Sequence, residues 1–230
     1  MYKIVHIKKF IVKGLVSLLL ILVCSAVFSQ QDSIKLVKYT SGFRFKDGLY
    51  LSHSQLLNNN PIPVKYIISK YNKSDFDFFN KLLNEEKVVY FDQFGIKKEI
   101  EVKNLWGFCR RGSIYVNWGD DFNRIPVVGS ICHFIASITV YEDRYYNPSY
   151  GYSSYSMPST TTRTEIYQFV MDFESGKVIE YSVDNILILL MSDQVLYDEF
   201  NALSKKKQNQ MKFLYLRKFN EKHPLYIPIE

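Results

Sequence analysis

The sequence has none of the short motifs by which many hydrolases and nucleotide-binding proteins are identified. It contains no G-x-S-x-G nucleophile elbow, no H-E-x-x-H zinc helix, no P-loop and no G-x-G-x-x-G turn. Histidine is scarce, and His53, His133 and His223 are not spaced with one another or with a cysteine as metal ligands usually are. The sequence therefore predicts no cofactor and no metal site, and it favours a non-enzymatic protein over an enzyme.

Cysteine is also scarce, with three residues in the chain. Cys24 follows Val23, whereas a lipidation signal places a small residue there, so a lipid anchor is the less favoured alternative. Cys109 and Cys132 allow two interpretations. A disulfide between them would stabilise the fold by about 3 kcal/mol. Two small hydrophobic core residues are the alternative that we favour, because a domain of this size does not require a disulfide.

Long apolar runs are absent after residue 28, so the rest of the chain contains no candidate transmembrane segment. The N-terminus has four lysines, an apolar or small run over residues 15–28, and Ser29 as a small residue at its end. The run is too short to span a bilayer and has the order of a secretory signal peptide. We therefore predict a signal peptide at 1–29, cleaved near Ser29, and a mature chain at 30–230 that is periplasmic, surface-located or secreted.

The excess of positive charge belongs largely to the signal peptide. The whole chain has 29 basic and 23 acidic residues, a net charge of +6. Loss of the four N-terminal lysines leaves 25 basic against 23 acidic residues, a balance of +2. A sequence-wide positive field is therefore missing from the mature chain, and nucleic-acid binding is not expected.

Residues 30–183 have the patterns of strands joined by tight turns. Asp47-Gly48 and Arg110-Arg111-Gly112 each lie between apolar segments and predict hairpins, the second with Gly112 in a bulged turn. Two long strands are predicted at 131–141 and 163–173. A short helix after Ser74 is expected to place Phe76, Phe79 and Leu82 on one face.

Residues 184–222 change to helical periodicity. The last helix is predicted to run from Ser204 to about Lys222, with Met211, Leu214, Tyr215 and Phe219 as its apolar stripe. The predicted fold class is therefore α+β: an antiparallel meander over 34–183, with helices mainly at the C-terminus, in one domain spanning 30–230.

Aromatic residues are abundant, with 18 Tyr and 17 Phe, and they suggest a binding surface. Residues 145–162 combine tyrosine with small residues, a composition that contacts partners well at low entropic cost; a mobile hairpin extension without a partner is the alternative. The candidate binding residues are Trp106, Trp118, Tyr146, Tyr150, Tyr152 and Tyr155. The predicted function is an interaction module whose partner is an envelope protein or a glycan.

Two other functions remain open. A periplasmic hydrolase would use His133 with a carboxylate such as Asp120 or Asp172, within hydrogen-bond reach in a pocket. Cys132 is adjacent to His133 but points to the opposite face of the strand, so these two cannot act together as nucleophile and base. Cys109 with His133 is the further candidate pair. A peripheral membrane protein would instead place its basic C-terminal helix on anionic lipid.

The order of several short motifs resembles a family of exported proteins of Gram-negative bacteria that has no known activity. The motifs are Trp106-Gly107-Phe108-Cys109, Phe122-Asn123-Arg124-Ile125, Asp172-Phe173 before Ser175-Gly176-Lys177, and Phe219-Asn220-Glu221-Lys222-His223-Pro224-Leu225. The resemblance covers nearly the whole mature chain. It implies a periplasmic or surface location and supplies no cofactor or catalytic residue.

Overall fold

The chain forms antiparallel β-sheets followed by a layer of three helices. The computed structural model describes residues 35–119, 121–143 and 160–229. The strands are β1 (Lys35–Lys38), β2 (Gly48–Tyr50), β3 (Ile62–Pro63), β4 (Ile67–Ile68), β5 (Lys87–Phe91), β6 (Lys97–Glu101), β7 (Gly107–Arg110), β8 (Ser113–Trp118), β9 (Asp121–Arg124), β10 (Ile131–Asp143), β11 (Thr160–Asp172), β12 (Val178–Glu180) and β13 (Tyr226–Ile229). The helices are α1 (His53–Leu57), α2 (Phe78–Leu83), α3 (Val183–Leu190), α4 (Gln194–Asn201) and α5 (Lys205–Lys222). The predicted α+β class is confirmed.

The strands assemble into a five-stranded sheet and three smaller ones. The five-stranded sheet has the order β3-β2-β7-β8-β9, and the three-stranded sheets have the orders β4-β5-β6 and β10-β11-β12. β1 and β13 pair at the two ends of the described chain. Most neighbours in a sheet are also consecutive along the chain, which is the meander that the turn sequences predict.

The two turn predictions had different outcomes. Arg111 (φ 50°) and Gly112 (φ 72°) form a two-residue loop between β7 and β8, so the hairpin is confirmed and its turn lacks the expected bulge. The hairpin at Asp47-Gly48 is wrong: Gly48 begins β2 and pairs with both β3 and β7. The Asp47 carboxylate instead accepts a hydrogen bond from the Gly112 N–H at 3.1 Å, so this turn residue binds a distant turn.

The five-stranded sheet has a core on each face, because successive side chains of a strand point to opposite sides. One face carries Cys109, Ile114 and Val116, which pack against Phe134 of β10 and Phe173 after β11 in the first core. The other face carries Leu49 and Phe108, which pack against α2 in the second core.

The helix α2 begins at Phe78, three residues later than a helix capped by Ser74 would begin. Phe79 and Leu82 are buried in the second core, as predicted. Phe76 precedes the helix and is 69% exposed, with the Arg110 guanidinium 3.8 Å from its ring centre. Phe76 therefore makes a cation–π contact at the surface and is not a core residue.

The three C-terminal helices enclose the third core against one face of β10 and β11. Ser182 caps α3 and Asp193 caps α4 through their side chains, and α5 follows Ser204 as predicted. Tyr215 and Phe219 of the predicted stripe are buried, whereas Leu214 is exposed and Leu216 is buried in its place. Leu214 and Leu216 are two residues apart, a rotation of about 200° around the helix, so they point to opposite sides and only Leu216 faces the core.

A short polar segment holds the end of α5 against β10. The side-chain amide of Asn220 donates to the Ile131 carbonyl and accepts from the Ile131 N–H, both at 2.8 Å. The Ser130 hydroxyl donates to the His223 carbonyl at 2.6 Å. The last of the motifs quoted above for the family resemblance therefore contains backbone-binding residues at a helix–sheet junction.

Asp193 links the beginning of α4 to the end of α5. Its carboxylate is 3% exposed and lies 2.7 Å from both the Lys222 ammonium and Nε2 of His223. It also accepts the capping hydrogen bond from the Leu196 N–H. Hydrogen bonds from Lys222 and His223 hold the pKa of Asp193 well below its usual range. The ionised Asp193 carboxylate contributes fully to stability above about pH 4, and this contribution is lost as the pH falls through the lowered pKa of the folded state.

Candidate functional site

The two tryptophans proposed as binding residues lie at the margin of the first core. Trp106 packs edge-on against Tyr50 at 6.4 Å and lies 5.8 Å from the His53 ring. Trp118 packs edge-on against Phe169 at 5.7 Å. Both side chains are half-buried, so packing accounts for them, and their role in binding stays a prediction. Tyr146, Tyr150, Tyr152 and Tyr155 lie outside the described residues.

His133 has a packing environment and not the surroundings of an acid–base catalyst. It is 8% exposed, and its Nε2 lies 3.0 Å from the side-chain oxygen of Gln168. The rings of Tyr181 and Phe213 pack edge-on against it at 4.8 and 5.9 Å. No carboxylate is among its hydrogen-bond partners in the described part of the chain, and it lines none of the three clefts discussed below. Among the described residues, the geometry therefore brings no carboxylate to His133 as an acid–base partner.

The other candidates for that hydrolase are also engaged elsewhere. The Cys109 and Cys132 thiols are free and buried, and burial raises the pKa of each, so both remain protonated at neutral pH. The Cys109 sulfur contacts the Phe45 carbonyl and the Asp47 carboxylate. Asp172 accepts hydrogen bonds from the N–H and hydroxyl of Ser175 in the turn after β11. Asp120 lies outside the described residues.

Burial of two histidines predicts a stability that falls in mild acid. Burial lowers the pKa of His133 and of His53 below the usual value, so the unfolded chain binds protons at a higher pH than the folded protein. We therefore expect the free energy of unfolding to decrease as the pH falls from about 7 to 5. Urea denaturation at both pH values should show this slope, and His133→Gln should reduce it. A slope that His133→Gln leaves unchanged would contradict the assignment.

The basic C-terminal helix is anchored to the protein along its length. Lys212 donates to the Tyr181 carbonyl at 3.1 Å, and Lys218 pairs with Glu199 at 3.1 Å. Lys205, Lys206 and Lys207 are exposed, so binding to anionic lipid stays a prediction. None of the helices in the described part of the chain has the length and apolar content that a membrane crossing requires.

The structure contains a cleft between α2 and the β8–β9 hairpin that the sequence did not predict. Its volume is about 660 Å³, against about 440 and 470 Å³ for two other clefts. Aromatic rings form one wall, since Tyr115 stacks on Phe108 with ring centres 4.5 Å apart and an interplanar angle of 1°. Phe108 also stacks on Phe79 of α2 at 4.7 Å and contacts Phe122 edge-on at 5.6 Å. The wall is therefore held in place by the second core.

Asparagine side chains form the polar part of the same cleft. Asn117 donates to the Lys103 and Leu105 carbonyls at 3.1 and 2.9 Å, which fixes its amide and leaves its oxygen as an acceptor. Asn80 of α2 and Asn84, which caps the C-terminus of α2 one turn later, are exposed, and their amides have no hydrogen-bond partner among the described residues. The Tyr115 hydroxyl is likewise without a partner in this part of the chain. These groups offer uncharged donors and acceptors to a ligand.

The charged groups at the cleft are locally satisfied. Lys103 pairs with Glu101 at 2.9 Å. Asp121 accepts a hydrogen bond from the Phe122 N–H at 2.7 Å. The lysine and the aspartate in the described lining of the cleft therefore carry opposite charges, and that lining has no net formal charge.

The signals for this cleft were present in the sequence at two places. Asparagine is a poor helix former, and its repetition at positions 80 and 84 puts two amides on one helix face. Tyr115 and Asn117 alternate with the apolar Ile114 and Val116, which assigns them to the opposite face of β8. Neither pattern indicates that the two segments are neighbours in space.

Comparison with known proteins does not identify a relative. No protein-family model matched the chain, no curated protein matched it, and no solved structure matched its fold.

Proposed function

We propose that this protein is an exported binding module of the cell envelope that recognises a neutral glycan in the cleft beside α2. Export is supported by the order of lysines, apolar run and small residue at the N-terminus. The recognition of a glycan is supported by one observation above all: a rigid aromatic wall faces three asparagine amides in a cleft of about 660 Å³.

Glycan chemistry fits the two kinds of surface in this cleft. A sugar ring presents an apolar C–H face to an aromatic ring and hydroxyls, each a donor and an acceptor, at its edge. The amides of Asn80 and Asn84 each supply both a donor and an acceptor, so they can bind a hydroxyl in either role, and Asn117 supplies its oxygen as an acceptor.

Asn80 and Asn84 allow a test that leaves the fold intact, because neither side chain bonds to another described residue. We expect the double variant N80A/N84A of the mature chain to bind its best neutral oligosaccharide at least tenfold more weakly than the wild type, since each lost hydrogen bond reduces affinity several-fold. Binding would be measured by calorimetry after a screen of neutral and acidic envelope oligosaccharides. Tyr115→Phe isolates the hydroxyl and should give a smaller loss.

Asn209→Ala is the matched control, because Asn209 is an exposed asparagine on α5, away from the cleft. It should bind like the wild type. Equal binding by the double variant, or no binding of any neutral oligosaccharide by the wild type, would contradict the proposal. Release of reducing ends during the same incubations would indicate a hydrolase in place of a binding module.

A further inference from the structure

Among the strands that the structure describes, none neighbours one long edge of β11. β10 and β11 pair without interruption from Ile131↔Asp172 to Asp143↔Thr160. On its other side β11 pairs with β12 only at Phe169, Val170 and Met171. Within the described residues, no strand covers the rest of that side, from Thr160 to about Gln168.

The hydrogen bonds to the β12 side show which backbone groups face this edge. The Tyr181 N–H donates to the Gln168 carbonyl, and the Asp172 N–H donates to the Lys177 carbonyl. Even-numbered residues of β11 therefore direct their N–H and C=O away from β10, since these directions alternate along a strand. The outward groups of Thr162, Thr164 and Ile166 have no partner in the part of the chain that the structure describes.

This edge lacks several of the features that prevent strands from pairing between molecules. Residues 160–166 contain no proline, no lysine and no bulge, and five of the seven are β-branched threonine or isoleucine. Ile166 is 76% exposed. The two charged residues of the segment, Arg163 and Glu165, have opposite signs. The segment is therefore suited to a strand partner that places opposite charges against these two.

We propose that this edge pairs antiparallel with the same edge of a second copy, about a twofold axis at Thr164. In this register Thr164 faces Thr164, and Thr162 faces Ile166 of the second copy, so all the unpaired outward groups bond to one another. A register shift of one residue, which moves the axis by half a residue, would set outward-facing groups against inward-facing ones, and an axis at Arg163 or Glu165 would place like charges opposite each other.

The charges of the strand are self-complementary about the same axis. Arg163 of one copy faces Glu165 of the other, and the reverse pair forms on the opposite side of Thr164. These two residues already lie on one face of β11, where the Arg163 guanidinium is 2.6 Å from the Glu165 carboxylate. The dimer therefore has alternating charges in a closed array, which favours this register and orientation. The affinity of such a dimer is low and its population depends on protein concentration, because few residues are buried at the interface.

Charge variants test the pairing without altering the edge backbone. The mature wild-type chain should show a reversible monomer–dimer equilibrium in sedimentation velocity. Glu165→Arg and Arg163→Glu should each raise the dimer dissociation constant about tenfold, because each places like charges opposite one another at both pairs. An equimolar mixture of the two variants should associate like the wild type. Neither variant retains the pair within its own chain, so this recovery can arise only between chains.

A cysteine scan tests the position of the axis. Thr164→Cys should form a disulfide-linked dimer on mild oxidation, since facing residues lie within the Cα separation of a disulfide. Thr162→Cys is the control and should not form one, because it faces position 166. The native thiols are buried and do not interfere.

The proposed dimer does not depend on glycan binding, so each of the two proposals can fail without the other. A wild-type chain that remains monomeric at the highest soluble concentration would overturn the dimer proposal and would indicate that another segment covers the edge. Failure of the mixed variants to associate, or crosslinking of Thr162→Cys in preference to Thr164→Cys, would also overturn it.

Discussion

Replacement of Asn220 by alanine is expected to lower the free energy of unfolding by about 2–4 kcal/mol, because two buried backbone groups lose their partner. The Asn220 amide acts as a neighbouring strand would, since it both donates to and accepts from the backbone of Ile131. Ile131 is buried, so water does not replace the amide readily. Thermal and urea denaturation of the mature chain would measure the loss.

Asn209→Ala provides the matched control for this experiment. Asn209 is on the same helix and is exposed, and its amide reaches only the Lys205 carbonyl at 3.3 Å. It should change stability by less than about 0.5 kcal/mol. If the two variants have similar stability, the contact between Asn220 and Ile131 does not hold the helical layer to β10.

The second large effect is expected at Gly48, where alanine should destabilise the protein by about 3 kcal/mol or more. Gly48 has φ +151°, and a Cβ at this position would lie 2.2 Å from the Ile62 carbonyl oxygen. That oxygen belongs to the backbone of β3, so the strand itself must move. Chemical denaturation of Gly48→Ala, or its yield of folded protein if the loss is too great, would show the effect.

Gly95→Ala separates backbone conformation from close packing. Gly95 has φ +75° in the turn between β5 and β6, and no atom lies within 4 Å of an added Cβ. Its replacement should cost about 1–2 kcal/mol from conformation alone. Equal losses at the two glycines would mean that β3 accommodates a side chain at position 48.

Local sequence signals predicted those elements whose determinants lie within a few residues. The β7–β8 hairpin follows from Arg111-Gly112, and the helix from Ser204 to Lys222 follows from its cap and periodicity. These elements are set by turn conformation and helix ends, which depend little on distant residues.

The errors occurred where a distant residue changes the environment of a local pattern. Asp47 has the sequence of a hairpin turn but binds the Gly112 N–H, 65 positions away. Phe76 has helical spacing with Phe79, yet Arg110 provides it with a surface contact. Periodicity indicates which residues share one face of a helix or strand, but it does not identify the residues against which that face packs.

The candidate cleft was missed for the same reason. Asn80 lies on α2 and Asn84 at its C-terminal cap, while Tyr115 and Asn117 lie about 30 positions later on β8. Only the second core, with Phe79 stacked on Phe108, brings the two segments together. Trp106 and Trp118, which composition suggested for binding, lie at the margin of the first core and not in this cleft.

The two-faced packing of β8 also bears on how accurately the sheet can assemble. Ile114 and Val116 point into the first core, while Tyr115 and Asn117 point to the cleft. A slip of one residue against β7 would exchange these sets, placing an amide in an apolar interior and aliphatic side chains in the cleft. Both sides of the strand would then be mispaired at once, so an incorrectly aligned intermediate has little to stabilise it. The alternation that forms the cleft therefore also discriminates against misfolded alignments while the chain folds.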